Sequence, residues 1–363
     1  MTYDAVLLTS FGGPEGTSDV MPFLERVTAG RGVPRERLEE VSHHYLALGG
    51  VSPINDQNRA LLAALRGEFA ARKIDLPIYW GNRNSEPYFA DALKEIEADG
   101  HHSVLAFVTS AYSSYSGCRQ YRENLAKALT ETQLHGTLKV DKIRHYFDHP
   151  GFITPFAQDL AKAVDQAVTD GLNAEDVKIF FTTHSIPDSM ANSSGPVGMR
   201  ENYAGGMYVA QHRATAGLVA THAKLFTDNE VPKWELVYQS RSGAPTIPWL
   251  EPDIGDAIKN AAASGVKGVI VVPIGFVSDH VEVVWDLDNE AKEIAQEHNL
   301  FFARVATPGT ASEFVTAIAE LVEERVKGGA KKALSDLGPW PDFCAVGCCP
   351  NARADLPTVA QAE

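Results

Sequence analysis

The sequence predicts an α/β chain of two similar domains, each a parallel sheet flanked by helices, with both sets of strand ends facing one cleft. Three observations predict it. Apolar runs of strand length alternate with longer stretches of helical period, the pattern of strands joined by crossover helices. The chain also matches itself without gaps. Leu8-Thr-Ser-Phe11-Gly-Gly-Pro14-Glu15 lies on Phe181-Thr-Thr-His184-Ser-Ile-Pro187-Asp188, and Gly100 to Tyr115 lies on Gly265 to His280. These matches keep the same order and nearly the same spacing, and each joins a strand end to the loop beyond it. Finally, 363 residues with 44% hydrophobic and 22% charged composition suit two domains that each bury a core.

In chain order, strands are expected at 5–8, 78–80, 104–108, 177–181, 236–238 and 269–272, where short apolar runs meet turn residues. Helical period is expected near 86–99, 120–130, 154–169, 207–226 and 312–326. The turn-forming Asp148-His149-Pro150-Gly151 is the expected crossing between halves. The first domain is therefore expected to span 1–149 with 310–330 returning to it, the second 150–309, and a tail 331–363. A net charge of -15 argues against nucleic acid and against a polybasic hold on anionic membranes. No apolar run reaches bilayer length and no signal pattern opens the chain, so a cytoplasmic location is expected.

Function is best sought where strands end, because open α/β sheets bind ligands outside the carboxyl ends of their strands. Phe11, Tyr115, His184 and His280 should thus border one pocket. After the strand 269–272 the chain reads PIGFVSDHVEVVWDLDNE, which places Glu282, Asp286 and Glu290 four residues apart, in one row on a helix. Like charges at that spacing destabilise a helix by a few tenths of a kcal/mol per pair. A solvated acidic face would explain three acids alone. Their position after a buried-type strand and beside His280 favours a path for a cation or for protons. His184 ends its strand, where an imidazole can ligate a divalent ion or take a proton near neutral pH, although a lone histidine is more often structural. Of the four cysteines, Cys118 sits mid-chain and Cys344, Cys348 and Cys349 crowd the tail. Free thiols, a four-cysteine zinc site and a [2Fe–2S] cluster all remain open on spacing alone.

Ser10-Phe-Gly-Gly-Pro14, Gly49-Gly-Val-Ser-Pro53, Thr183-His184-Ser-Ile-Pro187, Gln239-Ser-Arg241 with Pro248-Trp249-Leu250, and Ile274 to Glu282 together resemble the ferrochelatase family. The resemblance runs from Ala5 to about Val326. It implies two Rossmann-like chelatase domains and insertion of Fe(II) into a porphyrin, with His184 and Glu282 at the insertion point. His280, Asp286 and Glu290 would then extend a metal path. Porphyrin contacts are implied for Phe11, Arg31, Ser52, Tyr115, Tyr121 and Trp249, with Arg119 and Arg122 close enough to reach a propionate. Some bacterial relatives carry a tyrosine at the Phe11 position whose oxygen ligates product iron. Phenylalanine has no such atom and is expected to serve as an aromatic wall. The bacterial-type N-terminal region and the lack of a long apolar lip resemble the coproporphyrin III enzymes more than the protoporphyrin IX enzymes. The tail cysteines with Cys118 resemble those of the iron–sulfur-bearing members, which implies a [2Fe–2S] cofactor. The resemblance further implies a monomer and a transient hand-off to a coproheme decarboxylase. The rivals are a protoporphyrin enzyme, a cobalt chelatase, and a non-catalytic haem or metal carrier, which would need no acid opposite His184.

Overall fold

The structure, a computed structural model, describes residues 3–30, 32–243 and 246–362. Two four-stranded parallel sheets form its frame. The first comprises β1 (Ala5–Ser10), β2 (Ile78–Asn82), β3 (Ser103–Val108) and β4 (Lys139–Lys142) in the order β2-β1-β3-β4. The second comprises β5 (Val177–His184), β6 (Trp234–Gln239), β7 (Gly268–Val272) and β8 (Phe301–Arg304) in the matching order β6-β5-β7-β8. Register is duplicated too. Ala5 lies opposite Val104, and their self-match counterparts Lys178 and Val269 lie opposite each other. Beyond β2 and β6 the pattern continues: Asn82 N–H donates to the Pro87 carbonyl at 2.7 Å, and Tyr238 N–H to the Pro252 carbonyl at 2.9 Å.

After β1 come α1 (Val20–Val27), α2 (Arg35–Ala47) and α3 (Ile54–Arg72); α4 (Phe89–Ala98), α5 (Gln120–Glu131) and α6 (Pro150–Thr169) follow β2, β3 and β4. After β5 come α7 (Asp188–Asn192) and α8 (Gly206–Ala223), and α9 (Ile254–Ala263) follows β6. β7 leads into α10 (Val281–Val283), a π-helical stretch Val284–Ala291 and α11 (Lys292–Glu297); α12 (Ser312–Lys327) closes the frame. No helix among the described residues is long and apolar enough to cross a membrane.

Alternation along the strands explains the layers. Val6, Leu8, Leu105 and Phe107 point from the first sheet into a central core that Ile179, Phe181, Ile270 and Val272 enter from the second. Phe152, Phe156, Leu160, Phe314 and Ile318 of α6 and α12 fill that core. Ala5, Leu7, Val104 and Ala106 face the opposite way, against Leu93 and Ile96 of α4 and Leu125 of α5. Phe180, Val237, Val269 and Val271 do the same against Ile258, Leu287 and Ala295. One apolar mass therefore joins the two sheets, and each has an outer layer of its own.

β4 and β8 escape the sequence pattern because both are four residues long, edge strands and only partly apolar: β4 reads KVDK, and all of β8 is half-buried. α1 escapes it because it is only eight residues long with a proline inside, and α2 and α3 because their charged residues dilute the helical period. The turn-rich 148–151 segment starts α6, with Pro150 in the first turn and the His149 side chain accepting from Gly151 N–H at 3.2 Å. The row at 282–290 was read as plain α-helix, whereas 284–291 is π-helical. Such stretches are rare and concentrate at functional sites.

Gly275, just past β7, shows how tightly the second half is closed. A Cβ there would meet Thr183 Oγ1 at 2.2 Å and Thr183 Cβ at 2.6 Å. Gly275→Ala should destabilise the fold by roughly 1–3 kcal/mol, the usual cost of overpacking, and displace the end of β5. Thermal and denaturant melts test this, and an unchanged midpoint would refute it.

Candidate active site

β5 ends on His184, and a buried knot of side chains fixes its backbone. The Tyr208 hydroxyl donates to the His184 carbonyl at 2.7 Å. Behind it His212 stacks on Tyr112 with 3.6 Å between ring centroids. Burial holds the His212 pKa down to about 3, so the ring is neutral. Its Nδ1 lies 2.7 Å from the Tyr208 carbonyl and must donate there. Nε2 then accepts from the Thr183 hydroxyl at 2.9 Å.

The His184 ring has Nδ1 2.5 Å from the Ser185 carbonyl, a contact that only an N–H can make. Nε2 is left facing Glu282, 3.4 Å from Oε2. Both side chains keep solvent contact, with 33% and 40% of their surface exposed. Burial favours the neutral imidazole, but the hydrogen bond and charge of Glu282 and the Ser185 carbonyl outweigh it and raise the His184 pKa. Burial likewise favours the neutral acid at Glu282, and is outweighed by His184, His280 and His44, which hold its pKa near about 2. Both shifts run in the direction that favours an imidazolium facing a carboxylate. The pair's His184 share of stability is present below the ordinary histidine pKa and lost as pH rises through the raised one. The Glu282 share is present above the ordinary carboxylate pKa and lost as pH falls toward about 2.

The rest of the acidic row leads outward from this pair. Asp286 is half-buried and accepts from Gln239 Nε2 at 3.2 Å and from the Ser240 hydroxyl. Glu290 is exposed and accepts from Trp285 Nε1 at 2.7 Å. Burial pushes the Asp286 pKa up to about 7; Ser240 opposes the rise, and the charges of Glu282 and Glu290 add to it. His280 is lowered by burial and by the charge of His184, with Glu282 opposing, so its imidazole is neutral at pH 7.

The first half supplies the other wall. Phe11 packs edge-on to Phe23 at 6.1 Å, and both join a cluster with Tyr45 of α2 and Val281 of α10. That cluster brings the end of β1 beside the start of the acidic helix. His44 stacks flat on Trp285 at 4.4 Å and fastens α2 to the acidic row. Arg83, one residue past β2, lies 4.7 Å from the Phe11 ring and 4.6 Å from the Tyr121 ring. Tyr115 donates its hydroxyl to Glu123 Oε2 at 3.2 Å. Arg83, His44 and Tyr45 were missed from sequence; Arg83 was within reach of the strand-end rule that selected Phe11, whereas the two α2 residues carried no signal.

Some expected contacts lie elsewhere. Arg31 is outside the described residues. Ser52 is only 3% exposed, packed where a Gly13 side chain would stand. Tyr121 is buried under Arg83. Trp249 sits beside Gly243 and bridges to Pro187, next to the His184 loop. Arg119 and Arg122, expected near a propionate, hold the tail instead. Arg122 Nε donates to the Val359 carbonyl at 2.7 Å, while Arg119 pairs with Glu123 at 2.8 Å and reaches the Leu356 carbonyl at 3.5 Å. Sequence does not announce the tail contacts, because those partners lie more than 200 residues away.

The four cysteines converge into one buried cluster. Their sulfurs form two close pairs, Cys118–Cys344 at 3.8 Å and Cys348–Cys349 at 3.7 Å.

Comparison with known proteins identifies the lineage of this site. The ferrochelatase family pattern matches residues 3–326. The chain belongs to the ferrochelatase family. It is a metal-inserting lyase on that ground. A coproporphyrin III ferrochelatase of Leifsonia xyli is 52% identical over 371 residues, covering 99% of this chain and 94% of the relative. One of Streptomyces coelicolor is 53% identical, covering 99% and 96%. A ferrochelatase of Rhodopirellula baltica is 50% identical, covering 96% and 93%.

Asp286 gives the site a pH signature. Its folded pKa of about 7 lies above the ordinary value, so ionising it opposes folding. Nothing is lost where folded and unfolded states are both protonated. Stability drains away as pH rises from about 4, and the full cost remains above neutrality. Asp286→Asn should raise the melting temperature at pH 8 and lose that advantage near pH 4. Equal shifts at the two pH values would refute the assignment.

Proposed function

We propose that the enzyme inserts ferrous iron into coproporphyrin III, giving iron-coproporphyrin III for haem synthesis. The names of its relatives support the substrate, and one observation carries the chemistry. An imidazole with one nitrogen committed faces a carboxylate at the inner end of an acidic row, against an aromatic wall. Insertion exchanges one Fe(II) for two pyrrole protons, so the site must deliver a dication and remove protons.

Glu290, Asp286 and Glu282 supply a descending series of carboxylate oxygens suited to a hard cation. Asp286 titrates near neutrality and can shed a proton as the ion arrives. An ion arriving at Glu282 offsets the carboxylate charge that favours a protonated His184, so the imidazole gives any proton it carries to the solvent it still touches. His184 Nε2 then holds a free lone pair, because Nδ1–H stays on the Ser185 carbonyl. We assign pyrrole proton removal to this nitrogen and ion guidance to Glu282, whose low pKa makes it a poor base. Neutral His280 adds a further nitrogen beside the row. Phe11 and Arg83, which covers the buried Tyr121 ring, form the macrocycle wall, with Arg83 supplying charge for a propionate.

We further infer that Cys118, Cys344, Cys348 and Cys349 hold a [2Fe–2S] cluster. Two irons that each take two thiolates need two close sulfur pairs, and the buried donor set has them. When bound, the cluster would supply one-electron redox capacity. The chain's own part is to bury the thiols and fasten the tail around them. The proposed division remains 1–149 with 310–330, 150–309, and a cluster-bearing tail 331–363, in a monomer that passes its product to a decarboxylating partner.

His184→Ala should lower insertion by roughly 10²–10⁴-fold while porphyrin binding persists. Anaerobic protein with Fe(II) and either coproporphyrin III or protoporphyrin IX, followed by porphyrin absorbance, measures both that loss and the substrate preference. Weakened binding with normal turnover of bound porphyrin, or faster insertion into protoporphyrin IX, would overturn the respective assignment.

A further inference from the structure

His145 belongs to none of the machinery above. It follows β4 and is 1% exposed; neither ring nitrogen makes a well-formed hydrogen bond among the described residues, and its polar neighbours are the Cys344 side chain and the Ala111 backbone. A ring nitrogen and the sulfurs of Cys118 and Cys344 all lie within 4.8 Å of one another. Trp340 packs edge-on to the ring at 5.8 Å, and the nearby Lys142 ammonium donates to the Ile143 carbonyl at 2.6 Å. Burying an imidazole without a well-formed hydrogen bond is costly, and ligation or a thiolate contact is the chemistry that offsets it. The other sulfur pair is served differently: Gly195 N–H donates to Cys349 Sγ at 3.1 Å. The spare donor is thus confined to the Cys118–Cys344 side.

We propose that His145 is a fifth donor of the cysteine site, poised beside Cys118 and Cys344 to take an iron coordination position when either thiolate is missing. This rests on the reading that the four thiols hold an iron–sulfur cluster. Imidazole and thiolate both ligate such irons, and a nitrogen ligand raises the potential of the iron it binds. The exchange replaces one two-electron donor by another and moves no electron. In the four-thiolate state the same ring contacts the Cys344 sulfur.

Cys344→Ala, Cys349→Ala and Cys344→Ala/His145→Phe, purified anaerobically and reconstituted with iron and sulfide beside the wild type, test this. Cys344→Ala should keep iron and sulfide near the wild-type ratio, with shifted visible bands and a nitrogen hyperfine coupling in the reduced-state electron spin echo spectrum. Cys349→Ala and the double variant should each lose roughly tenfold or more of the iron. Cys118→Ala opens the other position beside the same imidazole and is read identically should Cys344→Ala fail to fold by circular dichroism. A folded Cys344→Ala protein as empty as the double variant, or one that keeps its cluster without nitrogen coupling, overturns the proposal. A wild type that takes up no cluster overturns the underlying reading instead, a result the wild-type arm shows by itself.

Discussion

The ion pair between His184 and Glu282 exists because two parallel strands, β5 and β7, are held in one register. Both side chains keep solvent contact, so the pair's share of stability is small, as for exposed pairs generally. Geometry must come from elsewhere. β5 runs to His184 with its carbonyl tied to Tyr208, and β7 ends against Thr183 at Gly275, where no side chain fits. Farther along the same loop, Asp279 N–H donates to Gln57 of α3 and its carboxylate takes Arg304. The acidic helix is therefore clamped from both halves before its first carboxylate appears.

Duplication explains how one scaffold performs two tasks. Equivalent strand ends present Phe11 and His184, Arg83 and Gln239, and Tyr115 and His280. The first-half members are aromatic or permanently charged and suit a flat ligand with carboxylate arms. The second-half members ligate, relay protons or orient: Gln239 accepts from Thr182 at 2.6 Å and donates to Asp286 at 3.2 Å. The electrostatics follow this division. Three carboxylates within one row would repel a fourth negative group, so anionic arms suit the Arg83 side and a cation suits the other.

Much of this was legible from residues. Gapless self-match anticipated the paired sheets because parallel strands buried on both faces must be continuous apolar runs. The strand-end rule selected Phe11 and His184, which stand just past β1 and at the end of β5, while Tyr115 and His280 lie farther out in the loops beyond β3 and β7. What stayed hidden depends on packing that no local period encodes. Edge strands β4 and β8 are short and mixed. The π-helical winding at 284–291 keeps the four-residue carboxylate spacing nearly in line, so it leaves no trace in the pattern. Arg119 and Arg122 read as cleft cations because the tail that takes them, through Leu356, Thr358 and Val359, lies more than 200 residues away in the chain.

The self-match can be carried three residues past Tyr115 and His280, and there it links the two candidate metal-handling sites. Gly117 then corresponds to Glu282, and Cys118 to Val283. Both segments enter π-helical winding here, at 115–119 in one half and, just after the matched positions, at 284–291 in the other. The unit offers two neighbouring positions, one toward the cleft and one toward the interior. The second half spends the cleft position on Glu282 and fills the interior one with an apolar side chain, Val283, fully buried. The first half leaves glycine at the cleft position, where any Cβ would meet Ser110 Oγ at 2.5 Å, and puts the thiol of Cys118 inside. Two donors at neighbouring self-matched positions thus join different groups, Glu282 facing His184 and Cys118 among the buried thiols. The tail, which brings the remaining thiols to Cys118, has no counterpart in the second half. That asymmetry keeps the thiol site out of the cleft that His184 and Glu282 occupy.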